Sequence, residues 1–268
     1  MISERSRTAH NGSAERLARR VLDALRDVGP TAPAAAHLES VVSLPPSEQS
    51  VAVAAVRMLG ADILAPHVLT GRTPPPEEGA AVTLALDALP PARPAPAAPP
   101  EGPEQPWLRA WIDWSTVSVL TLLDPAPDNP AAPVPQAPPR CDPGPERRRP
   151  PTATGDGPAY EGWVPWSVRM SQLSSLALPG LDGPVHEAAR SGAAGLARGA
   201  TRALLRRDFP TAARLTRWLA WTHAEGVPLP LDPVPLAEHI ALLGGGGRLA
   251  LDIAIARHLL GPRHARHV

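Results

Sequence analysis

The sequence predicts an all-α protein of two helical segments, joined by a proline-rich, largely disordered linker that carries one Trp-rich helix. Three observations predict it. Apolar residues recur at helical spacing on both sides of the middle of the chain, and no alternating strand pattern bounded by hairpin turns appears. Between positions 90 and 158 lie 20 of the 37 prolines, which lack an amide donor and break helix and sheet alike. Inside that stretch, 107–123 is free of proline and strongly apolar.

The expected order is a disordered N-terminus at 1–12, N-terminal helices over 13–89 and a linker at 90–106. The Trp-rich helix (107–124), a second linker (125–158), a C-terminal bundle of four to five helices (159–262) and a tail (263–268) follow. In the first segment, Leu17, Val21, Leu25 and Val28 define one face of a helix over 13–28. Ser13 suits its cap, and Gly29-Pro30 its stop. Further helices are read at 34–44, at 47–59 behind Ser47, and at 77–89, with a helical turn at 62–68.

In the C-terminal segment, Pro184 opens a helix to about Arg207, with a kink expected near Gly192. Pro210 opens the next, which ends at Gly226. Asp232-Pro233 is a cap and first-position pair for a third. The last runs from Arg248 to Leu260, after the glycine run Gly244 to Gly247. Short connections between these helices suggest a compact bundle.

Composition bounds the chemistry. All 26 basic residues are Arg, so no Schiff-base or P-loop lysine is possible. The bias toward Arg, Ala and Pro suggests an actinobacterial-like, GC-rich coding sequence. Formal net charge is zero, so nucleic-acid or membrane binding would need a local patch. The single cysteine, Cys141, permits neither an intramolecular disulfide nor a cysteine-based zinc site, which fits a reducing cytoplasm. No leader-like segment or run of ~18 uninterrupted apolar residues is found, so no membrane span is expected.

Motif by motif, His186-Glu187 lacks the second His of a zinc-protease helix, because position 190 is Arg. Gly244 to Gly247 stand at a helix start that could hold an anion, but the P-loop Lys and the preceding strand are missing. His258, His264 and His267 read as ordinary tail histidines. No cofactor, metal site or catalytic constellation is predicted.

Two surfaces remain as candidates. Trp107, Trp111 and Trp114 fall at i, i+4 and i+7 on one helix face, which must dock on its own chain, on a partner protein or on a second copy. Trp163 and Trp166 read as anchors of the chain after the linker. Trp218 and Trp221 read as core, with Trp221 partly exposed beside His223. Arg198, Arg202 and Arg206 form a stripe at every fourth residue, with Arg214 and Arg217 nearby. From 183 to 225, seven Arg face Glu187, Asp208 and Glu225, a local charge of +4. A basic stripe beside aromatics is one footprint of nucleic-acid binding.

The segment 200–243, with Arg-Leu-Thr-Arg-Trp-Leu-Ala-Trp at 214–221 and Val-Pro-Leu-Pro-Leu-Asp-Pro at 227–233, resembles the helical core-binding region of actinobacterial integrase-like proteins. It covers under a fifth of the chain. The resemblance implies DNA association but no recombinase activity, because the only tyrosine, Tyr160, precedes the segment. The leading expectation is a non-catalytic helical adaptor or regulatory protein that acts through protein–protein interaction. A nucleic-acid-associated module using the Arg stripe is the second, and a helical enzyme with a scattered site, using carboxylates such as Asp113 and Asp124, is the third.

Overall fold

The computed structural model describes residues 4–88, 96–124, 133–142 and 160–261, with side chains from position 8 onward and excepting that of position 160. The N-terminal helices are α1 (Glu4–Leu25), α2 (Pro33–Glu39), α3 (Pro46–Leu59), α4 (Ala65–Thr70) and α5 (Pro76–Asp87). A 3₁₀ turn at Gly60–Leu64 joins α3 to α4. The Trp-rich helix is α6 (Glu104–Leu123), one turn longer than its proline-free stretch. The C-terminal helices are α7 (Trp163–Gln172), α8 (Pro184–Ser191), α9 (Ala193–Leu205), α10 (Phe209–Ala224), α11 (Pro233–Leu243) and α12 (Gly247–Leu260). The fold is all-α, as the periodicity predicts. The strand structure among the described residues is a two-residue parallel pairing of β1 (Arg140–Cys141) with β2 (Tyr160–Glu161).

Outside the linker, prolines start helices. Pro33, Pro46, Pro76, Pro184 and Pro233 each stand at the head of one, where the missing amide costs no hydrogen bond. Ser47 therefore falls inside the first turn of α3 and does not cap it. Asp232 does cap α11, accepting from the Val234 amide at 2.9 Å. The helix predicted over 184–207 breaks at Gly192 into α8 and α9. A Cβ there would lie 2.4 Å from the Trp166 ring, so the break lets that indole reach the backbone.

Positions 4–12 differ from expectation. α1 begins at Glu4, and Ser13 is buried mid-helix with its Oγ 3.0 Å from His37 Nε2. The buried half of α1, through Leu17, Val21 and Leu25, nucleates the helix, and adding turns costs less than starting them. The helix ends at Leu25, four residues before Gly29, with Asp27 in the left-handed conformation at φ 57°.

The two helical segments share their packing through α6 and α12. One apolar cluster holds α7 to α12 together with Trp107, Leu108, Trp111 and Trp114 of α6. The other holds the N-terminal helices together with Val119 of α6 and with Leu251 and Ile255 of α12. α12 is apolar nearly all round, as a helix packed on two sides must be. Leu249, Ile253 and Ala256 serve one cluster, and Leu251 and Ile255 the other. α6 crosses the 3₁₀ turn closely enough that a Cβ on Gly60 would sit 2.6 Å from Ile112 Cγ2.

The linker is partly structured. Residues 133–142 run across the tryptophans, where the Gln136 carbonyl accepts from Trp107 Nε1 at 2.8 Å and Trp111 Nε1 at 3.3 Å. The Pro139 carbonyl accepts from Trp166 Nε1 at 3.1 Å. The Gln136 side chain in turn accepts from the Ala98 amide at 2.7 Å. This stretch is held against the tryptophans while Pro133, Val134, Gln136, Ala137 and Arg140 stay exposed, and positions 89–95, 125–132 and 143–159 lie outside the described residues. So do residues 262–268, with His264 and His267. By length and composition one stretch, Pro46–Thr70, is apolar enough to cross a membrane, but 72% of its most apolar window is buried in the protein. It is α3, the 3₁₀ turn and α4, interrupted at Gly60.

Candidate functional site

Trp107 and Trp111 are fully buried and Trp114 nearly so. They form a ladder of edge-on contacts, with ring centroids 6.5 Å and 5.3 Å apart. The face assigned to a partner or a second copy is covered by the chain itself, so it is not available for either in the folded protein. The ladder continues into the C-terminal cluster. Trp114 lies 6.5 Å from the His186 ring, which also meets Trp218 at 5.6 Å and Trp221 at 4.9 Å. Trp221 is therefore core, not partly exposed.

His186 is sealed in this cage. Its Nε2 pairs with the Leu176 carbonyl at 2.9 Å, and Nδ1 has no hydrogen-bond partner among the described residues. Burial holds its pKa below the ordinary value. Arg190 covers Trp221 at 5.1 Å and is held by Asp182 and Glu225. No group of three or more potential metal ligands occurs among the described residues.

The arginine set divides in two. Arg217 points inward from the middle of α10 with no exposed side-chain surface, 2.6 Å from Asp62 and 3.2 Å from Asp252. Arg248 meets the same two carboxylates at 2.6 Å and 3.1 Å. Arg214 stands at the edge, 3.8 Å from Asp252. Arg217 also donates Nε to the Ala177 carbonyl at 3.2 Å. Burial opposes ionisation of Asp62, but Arg217 and Arg248 outweigh it and keep its carboxyl below the usual range. This network ties the 3₁₀ turn of the N-terminal helices to α10 and α12. Arg217 is structural, and Arg214 is largely committed to the same joint.

Arg198 and Arg206 are exposed and Arg202 half-buried. None of the three has a carboxylate partner among the described residues. Some arginines elsewhere find one: Arg57 with Asp113 at 2.6 Å, Arg257 with Glu238 at 2.6 Å, and Arg169 with Glu104 at 3.1 Å. Asp113 is thus an ion-pair partner tying α6 to α3, whereas burial raises its pKa against the pull of Arg57. On the same exposed face of α9 stands Leu205, 81% exposed. The helix closes with Arg207 in the left-handed conformation at φ 58°. The Asp208 amide bonds back to Ala203 at 2.9 Å and the Arg207 amide to Leu204 at 3.0 Å. This end motif normally carries glycine at that position.

The start of α12 does hold an anion, supplied from within. Glu15 of α1 accepts from the Gly247 amide at 2.5 Å and the Arg248 amide at 3.3 Å. Sequence reasoning found the amides but not their carboxylate, which lies 232 residues away. It also missed the buried role of Glu78, which accepts from the Ala34 and Ala35 amides at 2.9–3.1 Å. A carboxylate among Ala and Val on a predicted helix was the available signal. No protein-family model matches the chain, and no similar curated protein or solved structure was found.

Proposed function

We propose that this is a non-catalytic helical adaptor whose contact surface is the exposed face of α9, and that its partner is a protein presenting an acidic helix. The observation that carries the reading is the spacing: Arg198, Arg202 and Arg206 recur at every fourth residue along one face of α9, with no carboxylate partner among the described residues and with exposed Leu205 beside them.

Successive arginines at i and i+4 lie about 6 Å apart along the axis. An acidic helix with Glu at every fourth residue has the same pitch, and Arg supports paired recognition of carboxylates. Leu205 offers an apolar contact at the C-terminal end of the stripe, where docking would remove it from water. A nucleic-acid partner uses the same charges, but a chain of zero net charge has no long-range field to gather one. A cytoplasmic setting, with Cys141 kept as a thiol, belongs to the same reading.

The test is anisotropy titration of a labelled helical peptide with Glu at every fourth position, beside a DNA duplex, against wild type and Arg198→Glu/Arg202→Glu. Salt-sensitive peptide binding lost in the variant is the expected result. Tighter binding of the duplex, lost in the same variant, would move the assignment to the nucleic-acid class. Binding of neither would remove both.

A further inference from the structure

A concavity of about 320 Å³ opens beside the C-terminal end of α6, at the lower end of the size range of small-molecule sites. α4 contributes His67 and Val68, the turn after it Arg72 and Thr73, and α6 Leu122 and Leu123. The turn at 179–180 closes it.

Three properties of this lining converge. Leu122 is 51% exposed, so the cleft offers apolar surface that the fold leaves in water. Arg72 has its guanidinium in solvent and pairs with Asp27, each side chain being 59% exposed. An exposed pair of this kind holds weakly, and a competing carboxylate can take its cation. Finally, His67 is buried with Nε2 lacking any hydrogen-bond partner among the described residues. Burial lowers its pKa, the Thr31 carbonyl pulls the other way, and Arg72 lowers it further.

We propose that this cleft binds a small amphipathic carboxylate, with its apolar body on Leu122, Leu123 and Val68 and its anionic end on Arg72 and the Thr73 hydroxyl. An anion seated there also favours a proton on His67, the charged groups around that ring being Arg72 and, through it, Asp27. The site uses no residue of the α9 face and stands or falls apart from it.

The probe is octanoate, titrated calorimetrically into the full chain, with octanol as the uncharged control. Arg72→Gln and Leu122→Ser change exposed side chains and leave the core intact. Saturable 1:1 binding of octanoate is expected, with octanol weaker. Each variant should weaken octanoate about tenfold, the scale of one charge-assisted hydrogen bond. In Arg72→Gln the advantage of octanoate over octanol should vanish. No saturable binding, or binding that either variant leaves unchanged, overturns the proposal.

Discussion

Arg217 lies 2.6 Å from Asp62, and neither side chain has any exposed surface. The two come from opposite ends of the chain and meet where its two apolar clusters adjoin. Removing one member strands the others in a low-dielectric site. Arg217→Met should therefore destabilise the protein by about 3–5 kcal/mol. Replacing Asp62 and Asp252 by Leu and Arg248 by Met in the same chain should recover much of the loss, since a packed apolar joint can match a buried ion network. Urea unfolding of the single and quadruple variants measures both.

The same network sets the acid limb of stability. Asp62 is held below its ordinary pKa in the folded state. Its contribution is present above the unfolded carboxyl value near 3.8 and is lost as pH falls through the lower folded value. An Asp62→Asn variant, already destabilised at pH 7, should lose less than wild type between pH 4 and 2 in thermal melts.

Glu78 acts with the opposite sign. Burial raises its pKa from 4.5 to about 7, against the Ala34 and Ala35 amides. A carboxyl raised in the fold gives stability that is complete below pH 4.5 and disappears as pH rises through 7. His37, lowered by burial to about 4, runs the other way, losing stability as pH falls from 6.5 to 4. Wild type thus contains both slopes. Glu78→Gln should remove only the first, so its stability relative to wild type should rise from pH 5 to pH 8.

Arg207 occupies a backbone conformation that costs a side-chain-bearing residue about 1 kcal/mol or more. Arg207→Gly should raise stability by about 1 kcal/mol and leave the α9 end motif intact. Loss of stability would show that the arginine makes a compensating contact.

Trp111 is wholly enclosed and touches both of its helix neighbours, Trp107 and Trp114. Trp111→Ala should cost about 3–5 kcal/mol. Wild type should show no self-association through α6 in sizing chromatography. A stable Trp111→Ala variant would mean that the α6 face can leave the core.

Helix positions were largely legible because they depend on local signals. Proline starts, the Asp232 cap and the Gly192 break all act within a few residues of themselves. What stayed hidden depends on partners distant in sequence. Arg217 and Arg198 look alike in one dimension. Only the arrival of Asp62 and Asp252 beside the first, and of no ion-pair partner among the described residues beside the second, separates a structural residue from a candidate contact. The α6 tryptophans show the same limit. Spacing placed them on one face, but the choice between partner and core depended on residues 133–142, which composition alone assigns to solvent.

That crossing of proline-rich chain over indoles has a stoichiometric side. Tryptophan side chains bring donors and no acceptors, whereas each proline brings a main-chain acceptor and no donor. A core rich in one therefore has a surplus that a strap rich in the other can absorb. Here the carbonyls of Gln136 and Pro139 absorb three of the indole N–H groups. At this crossing, a strap whose prolines offer carbonyls without competing amides meets a core whose indoles offer N–H groups without acceptors.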